Sequence, residues 1–247
     1  MKSSSKDFFR FKQFTIDQRH AAQKVGTDCD LLGNLASGGR RMLDIGTGTG
    51  VLSLMMAQRF PDATVTAIDI DEQAIIDATT NFQASPFGQR ISLRHVSFQD
   101  FLLEAQTDGL QPFDAIICNP PYFDRSLESG DRSRTRARHT SALPFLVLIE
   151  GAYSLLAPSG TFSVCIPPEV YSDFTSQCII AGFWPMTTWR IHALPDQPVK
   201  RYVLTYSKSR IASPEQHTAC MRRADHSYSE WYRELTRDFL LDKKSLD

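Results

Sequence analysis

No two cysteines in this 247-residue chain stand at CxxC spacing, and their number is odd: Cys29, Cys118, Cys165, Cys178 and Cys220. That pattern offers neither a disulfide framework nor a zinc site, and it fits a reducing compartment. An excess of charge of one sign is also missing, since 27 Lys and Arg against 28 Asp and Glu leave a net −1. Overall attraction to polyanions is thereby excluded, so any nucleic-acid contact must rest on local patches. The opening MKSSSKDFFRFKQF lacks the apolar stretch of a signal peptide. One uncharged run, between Glu150 and Glu169, is long enough to suggest a membrane span. Pro158 and Gly160 break it and Pro167 and Pro168 close it, so it reads as a buried helix followed by a strand. No repeat or low-complexity tract appears. A soluble, cytoplasmic protein with no membrane contact and no metal is expected.

What is present is alternation. Strands are expected at 41–46, 64–69, 91–96, 113–119 and 160–166, with helices at 51–60, 71–82 and around 142–157. Such a rhythm builds βαβ units on a parallel sheet. Residues 184–194 and 200–207, split by P-D-Q-P, then read as a hairpin with Trp184 and Trp189 facing its core. Ahead of the first strand, a short helix is expected from a cap at Thr27 or Asp28 to near Gly38 and Gly39. In the tail, 228–241 brings Trp231, Leu235 and Phe239 near helical spacing. No histidine earns a catalytic role, and His95 is expected to pack within its strand.

The loop D-I-G-T-G-T-G (44–50) joins the first strand to the first helix. Gly46, Gly48 and Gly50 let the backbone approach a ligand, and the helix behind them offers free N–H groups. Asp69 ends the second strand 19 residues after Gly50, where an acid can accept bonds from ribose hydroxyls. Asp44 could reach the ammonium of an amino-acid moiety. A nucleoside-type cofactor is the stronger reading; the weaker one is a bare turn.

After the run F-D-A-I-I, residues 118–123 read C-N-P-P-Y-F. Proline gives no N–H to a sheet, and Pro120 pushes Asn119 out of the helical region, so the strand stops in a stiff turn bearing an amide and an aromatic ring.

Together these motifs resemble motifs I, II and IV of the class I S-adenosylmethionine-dependent methyltransferases. The resemblance implies a Rossmann-like doubly wound α/β sheet of seven strands, mostly parallel, with a C-terminal antiparallel hairpin. It implies one domain: 1–40 an extension that closes on substrate and cofactor, 41–210 the core, and 211–247 a C-terminal strand and helix extension. It adds Thr47 and Ile70 to the cofactor set. It also adds Asp100 and Phe101, in F-Q-D-F-L after the third strand, at the adenine; a helix cap is the other explanation of Asp100. Asn119, Pro120, Pro121 and Tyr122 would form the catalytic turn of enzymes that methylate an amino group conjugated to a π-system. There the Asn119 side-chain oxygen and the Pro120 carbonyl would accept the amine's N–H bonds, and Tyr122 would stack on the base.

Four features bear on the substrate. Arg125, Arg132, Arg134, Arg136 and Arg138, set among small polar residues, suit phosphate contacts. Lys12 and other N-terminal cations lie among phenylalanines, although a packed strand explains that stretch as well. Some forty residues precede the first strand, so no separate N-terminal recognition domain is expected. Finally, F-K-Q-F-T-I-D-Q-R-H-A-A-Q-K-V-G-T-D-C-D-L-L-G (11–33) and the tail Y-S-E-W-Y-R-E-L-T-R-D-F resemble the bacterial tRNA-valine adenine-N(6)-methyltransferases nearly end to end. That implies tRNA as partner, S-adenosylmethionine as cofactor, and the adenine 3′ of the anticodon as target; the sequence leaves the oligomeric state open, with a monomer the default expectation. Thr27 and Asp28 would close over the methionine end of the cofactor; a helix cap accounts for both equally well. Cys29 and Thr47 depart from the residues common in the family. The alternatives are a ribosomal RNA methyltransferase, a release-factor glutamine methyltransferase and a non-catalytic RNA-binding protein.

Overall fold

The computed structural model describes residues 7–21, 24–120 and 143–241. Its elements alternate as the sequence requires: β3 (Arg41–Ile45), α2 (Val51–Arg59), β4 (Thr64–Asp69), α3 (Glu72–Ala84), β5 (Ile91–His95), α4 (Phe98–Thr107) and β6 (Phe113–Cys118). Then follow α5 (Phe145–Leu155), β7 (Leu156–Ile166), α6 (Pro168–Ile180), β8 (Trp184–His192), β9 (Val199–Ser207), β10 (Glu215–Cys220) and α7 (Glu230–Leu235). The uncharged run is thus α5 followed by β7, and no helix among the described residues is long and apolar enough to cross a membrane.

The main sheet has the order β10-β8-β9-β7-β6-β3-β4-β5, with β9 antiparallel to both neighbours and every other pair parallel. The chain moves outward from β3 through β4 to β5, then returns to the other side of β3 as β6. Ligands of open α/β sheets bind at that reversal, beyond the carboxyl ends of the strands. Helices cover both faces of β3 and β6, which explains why their residues form nearly unbroken apolar runs. Burial of that apolar surface supplies most of the driving force for folding, at roughly 25 cal/mol per Å².

The expected seven-stranded frame is present, and β10 adds an eighth strand at its edge, parallel to β8. Its segment E-Q-H-T-A-C is largely exposed and shows no apolar alternation, so periodicity could not mark it. Trp189 stacks on His217 of β10 at 4.2 Å, but Trp184 is exposed with Arg210 over its ring rather than facing the hairpin's core. His95 likewise ends β5 exposed, its Nε2 hydrogen-bonded to the Ile70 carbonyl at 3.0 Å, and is not packed in the strand.

The N-terminal extension forms a hairpin of β1 (Phe8–Arg10) and β2 (Thr15–Asp17), followed by α1 (Thr27–Leu35). Phe11 and Phe14 are buried and stacked at 4.6 Å, and Phe239 of the tail meets Phe11 edge-on at 6.4 Å. These rings are core, so the packed-strand explanation of the stretch holds. The tail helix is shorter than its spacing implied, because α7 stops at Leu235 and turns carry Phe239 into the core. Gly26, not Thr27 or Asp28, is the N-cap of α1, and the helix ends at Leu35, short of Gly38.

The two extensions are also joined by a buried polar bond, in which the Tyr232 hydroxyl donates to Asp30 Oδ2 at 3.1 Å while Oδ1 is buried without a partner. Burial pushes the Asp30 carboxyl up to about 7. The folded chain therefore holds a proton that the unfolded chain releases near its ordinary value of about 4. Stability conferred by the protonated form is complete below about pH 4 and is lost as pH rises through about 7. Asp30→Asn is expected to flatten that decline and to stabilise the protein at about pH 8 by up to roughly 4 kcal/mol. Urea unfolding across that range would show it; a curve as steep as wild type would assign the pH dependence elsewhere.

Candidate functional site

Between β3 and α2 the chain turns through three left-handed glycines, with φ of 70° at Gly46, 56° at Gly48 and 82° at Gly50. A Cβ at Gly46 or Gly48 would enter open space, so the first two front an open cradle. The Gly46 and Thr47 amides donate to the Ile68 carbonyl at 2.9 and 3.0 Å, tying the loop to β4. Asp69, at the end of β4, accepts the Gly48 and Asp71 amides at 2.7 and 2.9 Å. Burial raises its carboxyl above the usual range.

Asp44 lies beneath, fully buried at 0% exposure. Its Oδ2 accepts the hydroxyls of Thr47 and Ser53, each at 2.7 Å, whereas Oδ1 is buried with no partner. Burial is the main cause that pushes this carboxyl up to about 6. An unmatched carboxylate oxygen under an open glycine cradle fits the ammonium end of a methionine-like ligand. Thr47, where the resembling family has a smaller residue, thus supports Asp44 by its hydroxyl.

Asn119 and Pro120 follow β6, whose Cys118 lies opposite Ile45 of β3. The amide-bearing turn therefore starts beside the glycine loop, one strand over. Asn119 Nδ2 points to Cys29 Sγ of α1 at 3.8 Å, and burial pushes that thiol up to about 12, so the sulfur is uncharged. Asp28 of α1 does not cap its helix; it takes Arg201 Nε of β9 at 2.8 Å. Thr27 opens α1.

Ile70 is exposed just beyond Asp69. Asp100 is the third residue of α4: its amide donates to Ser97 Oγ at 3.0 Å, and that hydroxyl donates to its carboxylate at 2.6 Å. The cap therefore exists, with Ser97 as capping residue, and the carboxylate stays exposed at the helix start. Phe101 is buried against Phe113, its ring in the core. Lys12 Nζ donates to the Arg237 carbonyl at 2.6 Å, joining the two extensions. Pro121, Tyr122, Arg125, Arg132, Arg134, Arg136 and Arg138 lie outside the described residues.

Two residues of α3 escaped sequence reading. Asn81 accepts the Asp17 amide at 2.7 Å and donates to the carbonyls of Asp17 and Thr49, both at 2.9 Å, so one side chain links β2 to the glycine loop. Asp77 accepts the amides of His20 and Ala21 at 3.0 and 2.9 Å, which holds the segment leading into α1. Their signal was two polar residues four apart on a face that also carries Ala74, Ala78 and Phe82. Among the described residues no cluster of potential metal ligands occurs.

Residues 22–166 match the family model described as methyltransferase small domain. The tRNA1(Val) (adenine(37)-N6)-methyltransferase of Bacteroides fragilis is 39% identical over 239 residues, covering 96% of this chain and 99% of that protein. Its counterpart in Pseudoalteromonas translucida is 37% identical over 235 residues, covering 94% and 98%. Among solved structures, a "predicted O-methyltransferase" from Agrobacterium tumefaciens superimposes with a TM-score of 0.65 at 20% identity, covering 86% of this chain and 96% of that one. TrmN from Thermus thermophilus gives 0.51 at 21% identity, covering 73% and 48%. At these identities the two structures speak to the fold.

Proposed function

The chain belongs to the methyltransferase small domain family, alongside the curated tRNA1(Val) (adenine(37)-N6)-methyltransferases, and on that footing we propose that it methylates N6 of the adenine 3′ of the anticodon in tRNA-Val. The observation that carries this reading is the position of Asn119 and Pro120 beside the cradle formed by Asp44, Gly46, Gly48 and Asp69.

S-adenosylmethionine, when bound, supplies a sulfonium methyl group. Asp44 would hold its ammonium and Asp69 its ribose hydroxyls, while Ile70 and Asp100 border the adenine. Thr27 and Asp28 would close over the methionine end. An exocyclic amine is a poor nucleophile because its lone pair is delocalised into the ring. Acceptance of its two N–H bonds by Asn119 Oδ1 and the Pro120 carbonyl favours a pyramidal nitrogen aimed at the methyl group. The chain contributes position and electrostatics, with no strong base needed. Tyr122 would stack on the adenine, offsetting the few kcal/mol spent in leaving the RNA stack. The arginines of 125–138 would meet phosphates. We place the enzyme in the cytoplasm with its RNA.

Transfer of labelled methyl to an unmodified anticodon stem-loop tests the reading. Label is expected in the hairpin carrying adenine 3′ of the anticodon and not in one with guanine there. Equal labelling of both, or label only in ribosomal RNA, would reject this target.

A further inference from the structure

An aromatic pair stands at the same edge of the sheet and takes no part in the site above. Tyr202, near the start of β9, lies opposite Ile166 at the end of β7. Val164 of β7 lies opposite Cys118 of β6, so Pro120 is level with Ile166 and hence with Tyr202. Two inter-strand spacings, about 10 Å, separate the backbone leading into the turn from that of β9. Tyr171, from the first turn of α6, stacks on Tyr202 with centroids 4.0 Å apart and planes 9° from parallel. Both tyrosines are partly exposed at the rim of the core cluster that contains Phe174 and Leu204. Tyr206, further along β9, is instead buried with its hydroxyl bonded to Thr175 at 2.9 Å. Lys200 is exposed two residues before Tyr202.

Backbones about 10 Å apart place Tyr202 within the span of neighbouring nucleotides on one strand. Extrusion of the target adenine leaves its neighbour unstacked, and proteins hold such bases on aromatic faces. We propose that Tyr202, backed by Tyr171, is the stacking platform for the nucleobase adjoining the target adenine, with Lys200 meeting its phosphate. The proposal rests on the reading of the protein as a methyltransferase acting on single-stranded RNA.

The test uses an unmodified anticodon stem-loop, binding by fluorescence anisotropy, and methyl transfer. Tyr202→Leu, which keeps apolar volume, is expected to weaken RNA binding roughly 5–100-fold, the range for one lost stacked base. Tyr202→Phe should bind within about twofold of wild type, as stacking requires the ring alone. S-adenosylmethionine binding by calorimetry should be unchanged in both. A hairpin abasic at one neighbour of the target should lose the same factor with wild type and nothing further with Tyr202→Leu. Wild-type affinity in Tyr202→Leu, or abasic and Leu penalties that multiply at both neighbours, would overturn the platform while wild-type methylation of the hairpin still stood. Should Tyr202→Leu fold poorly, abasic hairpins on wild type decide: no loss at either neighbour overturns the proposal. If wild type methylates no RNA, the methyltransferase reading fails first and the platform falls with it.

Discussion

Asn119→Ala is expected to lower kcat for methyl transfer by about 10²–10³-fold, the usual loss when one preorganised polar partner is removed from a reacting centre. The S-adenosylmethionine Kd should stay within about twofold, because Asn119 is not among the cofactor's proposed anchors on β3, β4, α1 and α4. The split follows from the chemistry. The amide oxygen is needed only where the amine nitrogen pyramidalises, so its deletion removes transition-state stabilisation rather than ground-state binding. Single-turnover transfer to tRNA alongside calorimetry separates the two. A fall in cofactor affinity equal to the fall in rate would assign Asn119 to cofactor binding instead.

Asp44→Asn is expected to weaken S-adenosylmethionine binding about 10–100-fold, the worth of one charge-assisted bond to a buried carboxylate. Its pH dependence carries the more specific signature. The cofactor-free carboxyl titrates at about 6, and an ammonium on its unpartnered oxygen stabilises the ionised form. Affinity in wild type should therefore rise as pH increases through about 6, with proton release on binding. It should decline again only as an α-amine of pKa about 8 loses its charge. Asp44→Asn should lack the lower limb of that profile, and calorimetry in buffers of different ionisation enthalpy would show its proton release gone. An unchanged lower limb would place the ammonium elsewhere.

The sheet's centre was legible because its information is local. Strands β3, β4 and β6 are apolar runs cut short by a glycine turn, an acid and a proline turn, all within a few residues. Helix ends were less so, since the cap of α1 is Gly26 and the Asp28 carboxylate is drawn to Arg201, 173 positions away. Asn81 reaches Asp17 across 64 residues to brace the glycine loop, a partnership no spacing rule contains. The same holds for Tyr171 and Tyr202, whose stacking depends on the register of β9 against β7. Edge strand β10 was silent for another reason: exposed on much of its length, it carries no periodic signal.

Nucleoside mass spectrometry of unmodified total tRNA, after incubation with labelled S-adenosylmethionine and either wild type or Asn119→Ala, tests the proposed chemistry most directly. The predicted result is N6-methyladenosine in tRNA-Val, formed by wild type and lost with the variant. Cofactor binding without methyl transfer to tRNA, or methyl on an atom other than N6, would contradict it.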